Sequence, residues 1–149
     1  MIILAGLFGA LFWLFAGAAL AQDSRGTADE AKAMVAKAIA AFDAEGTAAF
    51  AAMTAPSKTF VDRDLYVFVF DKTRLVAHGF DATLIGGDAA SLADVNGKKF
   101  GVEFIEKATP DGAWVDYVWR DPISGKDVAK SSWVVSHKGY VFGTGIYKP

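Results

Sequence analysis

Apolar side chains recur at helical spacing in the first charged stretch of the chain, residues 27–46. The positions that share one face of such a helix are Met34, Val35, Ala38, Ile39 and Phe42. Thr27 and Glu30 have the spacing of a capping box at its start, and Gly46 follows the last periodic residue. The pattern therefore predicts an N-terminal helix with one apolar face to bury.

The period then changes to that of β-strands. Residues 65–70 (LYVFVF) form a run without a polar break, and residues 74–78 (RLVAH) return after the turn DKT, which predicts a hairpin. Three further strand-like runs follow, separated by short turns: residues 113–120, 128–137 and 140–147. Strands joined by short turns pair antiparallel, so we expect one antiparallel sheet of five strands.

A second helical pattern interrupts the strands. Phe100, Phe104 and Ile105 recur at helical spacing and predict a short helix near residues 97–108. The order of elements is then helix, two strands, short helix, three strands. This order predicts an α+β domain in which the N-terminal helix packs on a five-stranded antiparallel sheet with a short inserted helix.

The start of the chain has a different character. Residues 1–21 carry no charged side chain and end in Ala19-Leu20-Ala21, the small-x-small pattern of a signal-peptide cleavage site. We expect a signal peptide over residues 1–21, a single domain over residues 22–149 and a periplasmic location. An uncut apolar run, residues 2–20, is the alternative, and it is long enough to anchor the protein in a membrane.

Composition excludes several classes of function. The formal net charge is −2 and there is no long basic run, so no nucleic-acid partner is expected. The chain has no cysteine, which excludes thiol catalysis and cysteine-ligated metals. His78 and His137 lie far apart, without carboxylates at metal-ligand spacing. We therefore expect no metal and no other cofactor.

Strand alternation selects a few polar side chains. Tyr117 and Trp119 share one face of residues 113–120, and their O–H and N–H groups are donors that often line small-molecule pockets. Lys130 shares its face with valines, so it either protects a sheet edge or meets an anion inside the protein. His78 is by itself more typical of a hydrogen-bonded structural residue than of a ligand-binding one.

Four ordered fragments resemble one known family. They are YVFVFD with LVAHG, LIGGDAASLADVNGKKF, GAWVDYVWRDPISGKDVAKSSWV and GYVFGTGIY, spanning roughly residues 27–148. The series is similar to the single Cache domains of type 2. The resemblance implies a PAS-like extracytoplasmic sensor fold that binds a small organic molecule, often a short carboxylate, between the sheet and the loops above it.

Carried over by position, the resemblance implies a pocket formed by Tyr66, His78, Tyr117, Trp119 and Lys130. Lys130 would pair with a carboxylate in a charge-assisted bond, Tyr117 and His78 would hydrogen-bond to it, and Trp119 would wall in the apolar part of the ligand. Many members of the family have a proline after the histidine, whereas this chain has Gly79. A looser loop over the pocket is expected.

These expectations favour a non-enzymatic sensor module for a small carboxylate. Because the sequence ends at Pro149, directly after the last strand, we expect a free-standing domain that acts with a separate membrane receptor or kinase. Two alternatives remain open. One is a small enzyme of the nuclear-transport-factor type, with His78 or Asp116 as its acid–base group. The other is a membrane-tethered interaction domain without a ligand.

Overall fold

The computed structural model of the protein describes residues 25–148. The expected signal peptide, residues 1–21, and its alternative as an anchor lie outside the described residues. Within the described part of the chain, no helix combines the length and apolarity needed to cross a membrane.

The N-terminal helix α1 runs from Ala28 to Glu45 and confirms the predicted capping signals. Thr27 accepts a hydrogen bond from the backbone of Glu30, and the Glu30 side chain accepts one from the backbone of Thr27. Gly46, at φ 62°, ends the helix. The buried face consists of Ala31, Val35, Ala38 and Phe42.

The sheet contains the five predicted strands and one short addition. The strands are β1 (Val61–Asp62), β2 (Leu65–Asp71), β3 (Arg74–His78), β4 (Ala113–Arg120), β5 (Asp127–His137) and β6 (Tyr140–Lys148). All pairings between them are antiparallel, in the order β1-β2-β6-β5-β4, with β3 also paired to β2. Strand β6 therefore lies in the middle of the sheet, between β2 and β5, which are distant from each other in sequence.

The sheet separates two apolar layers. On one face, α1 packs against alternate residues of the central strands, among them Val67, Val69 and Phe142. On the other face, the short helix α2 (Phe100–Lys107) packs with Phe68 and Phe70. The α2 face carries the candidate site.

A bulge in β3 determines which side chains reach the α2 face. Phe68 pairs with His78 and Phe70 pairs with Leu75, so β3 has one more residue than β2 in this interval. Strict alternation would place Leu75 and His78 on opposite faces of the strand. Because of the extra residue, both side chains line the same cavity.

The free edge of β4 is closed by the loop before α2. Asp94 accepts hydrogen bonds from the backbone N–H groups of Asn96 and Lys98 and, at 3.1 Å, from that of Val118 on β4. The Lys98 ammonium contacts the Asp116 carbonyl of the same edge. Exposed strand edges invite pairing with other chains, and these contacts occupy edge groups that another strand would use.

We predict that Thr144→Val stabilises the protein by about 1 kcal/mol. The Thr144 hydroxyl is fully buried between Val67 and Trp133 and has no hydrogen-bond partner among the described residues. Valine keeps the shape and removes the buried polar atom. Thermal unfolding should show a rise in Tm of about 2–5 °C, with Thr144→Ser as the control that retains the hydroxyl. A lower Tm for the valine variant would contradict this account.

Candidate ligand-binding site

A narrow cavity lies between the sheet and α2. The centre of a water molecule has about 20 Å³ available in it, which is room for roughly one water. Its walls are mostly aromatic and aliphatic side chains, with a few polar groups converging at one end. The lining residues are Tyr66, Phe68, Phe70, Leu75, His78, Leu84, Leu92, Phe100, Phe104, Tyr117, Trp119 and Lys130.

Lys130 occupies the polar end of the cavity and is only 1% exposed. Its ammonium donates hydrogen bonds to the hydroxyl of Tyr66 at 2.6 Å and to that of Tyr147 at 3.2 Å. It also lies 3.9 Å from the centroid of the Tyr66 ring, a cation–π contact. The partners of this cation are thus neutral phenols and ring faces.

Gly145 on β6 makes room for the lysine stem. A Cβ atom at this position would lie 2.4 Å from Cε of Lys130 and 2.3 Å from Oγ of Ser132. The Tyr147 hydroxyl is fixed in turn, because it donates to the Arg120 carbonyl at 2.6 Å and lies 3.0 Å from the Tyr66 hydroxyl. The position of Lys130 is therefore set by a missing side chain and by two tyrosines.

Lys130 has no salt bridge with any carboxylate of residues 25–148. The acids whose charges it senses are Asp64 and Asp121. Their attraction is the smaller effect, and burial holds the pKa of Lys130 well below its ordinary 10.5. An anion placed in the cavity would raise the pKa of Lys130.

Asp64 and Asp121 are both fully buried and both bind Arg25. The guanidinium lies 2.7 Å from one Asp121 oxygen and 3.2 Å from one Asp64 oxygen. Asp64 also accepts from the backbone N–H of Gly26, and Asp121 accepts from Ser124. The Arg25 hydrogen bond contributes most to lowering the pKa of the Asp121 carboxyl. These interactions attach the segment before α1 to the polar end of the site.

His78 enters the cavity as a neutral imidazole. Its Nδ1 accepts hydrogen bonds from the backbone N–H of Asp81 at 2.8 Å and of Phe80 at 3.4 Å, which assigns the ring proton to Nε2. Burial, assisted by the charge of Lys130, lowers the pKa of His78 to about 3. The histidine can therefore offer an Nε2–H donor at neutral pH.

Tyr117 and Trp119 form the wall opposite α2. Tyr117 stacks on Phe100 at 4.3 Å between ring centroids, and its hydroxyl lies 2.9 Å from the Ser132 hydroxyl. Trp119 is half-buried and also borders an outer cleft beside Asp94 and Val95. Trp119 therefore lies between the cavity and this outer cleft.

All five residues expected from the sequence line this one cavity: Tyr66, His78, Tyr117, Trp119 and Lys130. Sequence reasoning did not select Tyr147, Gly145 or the Arg25 cluster with Asp64 and Asp121. Alternation along β6 puts Gly145 and Tyr147 on one face, which is the local signal that was available. Arg25 and its two acids are far apart in the chain and leave no such signal.

We predict that Lys130→Met raises the free energy of unfolding of the ligand-free protein by about 1–4 kcal/mol. Methionine fills similar volume without a buried charge, and the Tyr66 and Tyr147 hydroxyls still hold each other. Because the folded protein lowers the pKa of Lys130, the unfolded chain binds more protons between that pKa and 10.5. Wild-type stability should therefore rise with pH in this window relative to the variant.

Urea unfolding of both proteins from pH 6 to pH 10 measures this difference. The difference in the free energy of unfolding between the variant and the wild type should narrow as pH rises. A variant that is less stable than the wild type at every pH would show that Lys130 stabilises the empty fold.

Comparisons with known proteins agree with this fold. Three solved structures match the chain with the following similarity. A methyl-accepting chemotaxis protein from Vibrio parahaemolyticus RIMD 2210633 is 22% identical with a TM-score of 0.67, over 80% of this chain and 86% of that chain. A periplasmic sensor domain of a chemotaxis protein is 28% identical with a TM-score of 0.60, and the match covers 81% of this chain and 90% of that chain. A Cache chemosensory domain, described as recognising a carboxylic acid, is 19% identical with a TM-score of 0.60. The match covers 81% of this chain and 88% of that chain.

No curated protein matches the chain. The family model for single Cache domain 2 matches residues 14–148, which includes every strand and both helices described above. The fold predicted from the sequence, α1 on an antiparallel sheet with α2 inserted, is confirmed by these structures. The chain belongs to the single Cache domain 2 family.

Proposed function

We propose that this protein is a periplasmic sensor domain that binds a small carboxylate in the cavity above Lys130. The observation that carries the proposal is a buried lysine side chain without a carboxylate partner among the described residues, at the polar end of a mostly apolar cavity. Buried charges in proteins are paired or hydrogen-bonded because desolvation is unfavourable. A ligand carboxylate would provide the missing charge.

The remaining groups fit the same ligand. The Nε2–H of His78 is a second donor at the cavity, and the Tyr66 and Tyr117 hydroxyls lie close to the lysine end. The aromatic rings of Phe100 and Trp119 would cover a short apolar tail. The solved Cache chemosensory domain that is described as recognising a carboxylic acid shares this fold, which supports the proposal.

Signalling would require a partner in the membrane. The domains of known structure that this chain resembles come from chemotaxis proteins. We propose that ligand occupancy is passed to a membrane receptor or kinase, with secretion through the signal peptide at residues 1–21. The Arg25 cluster connects the start of the described chain to the polar end of the site.

An enzymatic role is disfavoured by the site chemistry. The family and the structural neighbours are sensor domains. A His78 whose pKa is about 3 is a weak base at neutral pH. Asp116 is 74% exposed and lies on the face of β4 away from Tyr117 and Trp119, so it does not line the cavity.

The small volume of the cavity favours one competing function, an interaction domain that binds no small molecule. With room for about one water, the cavity must widen to admit even acetate. We propose that Trp119, which is half-buried and also lines the outer cleft, moves to widen the cavity. Ligand binding in solution separates these two functions.

We predict that acetate, propionate, lactate or pyruvate raises the Tm of the purified protein. A ligand at 100 times its Kd adds ~2.7 kcal/mol, or roughly 5–15 °C for a domain of this size. Lys130→Met should abolish the shift, because the counter-charge is lost. The matched control is Lys126→Met, which removes an exposed lysine from the β4–β5 turn. No shift with any acid would favour the interaction domain.

We also predict that Trp119→Ala changes the preference for ligand length. Removing the indole joins the cavity to the outer cleft, so that hexanoate should gain about tenfold in affinity relative to propionate. Titration calorimetry with both acids measures this ratio. Trp114→Ala, on the opposite face of the same strand and packed on Trp133, is the control and should leave the ratio unchanged. An unchanged ratio in the Trp119 variant would exclude it as the wall that limits ligand length.

A further inference from the structure

No charged side chain of residues 25–148 lies in direct contact with Lys130. From β2, β4 and β6 it faces phenols, and from β3 it faces a neutral imidazole. Beyond them lie two carboxylates that share one guanidinium and several backbone or hydroxyl donors. The groups concerned are Tyr66, Tyr117, Tyr147, His78, Asp64, Asp121 and Arg25.

This arrangement differs from an ordinary buried ion pair. Asp121 binds Arg25 through both oxygens, at 2.7 and 3.2 Å, and also accepts from Ser124 and from the backbone of Ile123. Asp64 accepts from Arg25 and Gly26. Neither acid is within salt-bridge distance of Lys130. An ammonium in the empty cavity is therefore stabilised directly by dipoles and ring faces, and by the two acids only at longer range.

We infer that the cavity takes up its ligand together with one proton, so that a carboxylate anion enters the closed site as a net neutral acid. The inference rests on the proposed carboxylate-binding function. In the empty protein, burial lowers the pKa of Lys130, so its amine loses the proton at a lower pH than that of an exposed lysine. When the anion enters, the amine takes a proton from solvent and the ammonium pairs with the carboxylate. No covalent bond to carbon forms or breaks.

The low pKa of Lys130 and its cause support this inference. Burial makes the charged amine unfavourable in the empty site, and an adjacent anion favours it by the same physics. His78 is a poor alternative acceptor of the proton, since its Nδ1 is occupied by two backbone N–H donors. Protonating that nitrogen would remove both hydrogen bonds.

The proton also determines which ligands fit. One lysine that becomes charged on binding compensates one negative charge. A dicarboxylate would bring a second charge into a cavity whose remaining wall groups are neutral. Binding should therefore favour monoanions, and it should strengthen as pH falls because one proton is bound with each ligand.

Calorimetry in two buffers tests the coupling directly. The full-length protein is titrated with acetate, propionate, lactate and pyruvate at pH 7 and pH 9, in phosphate or borate and in Tris, whose ionisation enthalpies differ. The buffer dependence of the heat gives the number of protons taken up. We expect uptake approaching one proton per ligand at pH 9 and a Kd that weakens up to tenfold per pH unit in the range where the empty site is uncharged.

His78→Gln identifies the group that takes up the proton. Uptake that persists in this variant assigns the proton to Lys130, whereas its loss would move the proton to the histidine and overturn the inference. Saturable binding with no buffer dependence at either pH would also overturn it while leaving the carboxylate sensor intact. Absence of saturable binding by all four acids would overturn the proposed function and this inference with it.

Discussion

A lysine buried without a counter-ion is the constraint on which the site depends. Lys130 lies among aromatic side chains because Gly145 leaves space for its stem and because the Tyr66 and Tyr147 hydroxyls accept its hydrogen bonds. These groups come from three strands of the central sheet: Tyr66 from β2, Lys130 from β5, and Gly145 and Tyr147 from β6. The antiparallel pairing of β2, β6 and β5 brings them together, so the sheet order is a requirement of the site as well as of the fold.

Lys130 lacks a counter-ion because Arg25 binds the two acids nearest to it. A buried lysine near two free carboxylates would form a conventional ion pair and would have little remaining attraction for an external anion. Arg25 binds both acids and thereby leaves Lys130 to the cavity. The arrangement disfavours the empty fold and favours the occupied one. Functional sites often lower stability in this way, because the group that binds the ligand is poorly satisfied without it.

The secondary structure was largely predictable from local patterns. The capping box at Thr27, the stop at Gly46 and the limits of β3 and β4 all agree with the structure, because each is set by neighbouring residues. Alternation also placed Tyr117 and Trp119 on one face of β4, and the family resemblance joined Lys130 to them. His78 was different, since its side chain reaches the cavity through a bulge in β3 that the local sequence does not indicate.

The sequence by itself thus determined the elements, their order, the family resemblance and the lysine on an apolar face. The tertiary structure alone decided that this lysine contacts the Tyr147 hydroxyl, that Gly145 lies beside its stem and that the two nearby acids both bind Arg25. Helix caps, turns and alternation depend on residues that are close in the chain, and a pattern of residue types can reveal them. The charge balance of a buried site depends on groups up to 96 positions apart, and only the folded pairing of strands brings such groups into contact.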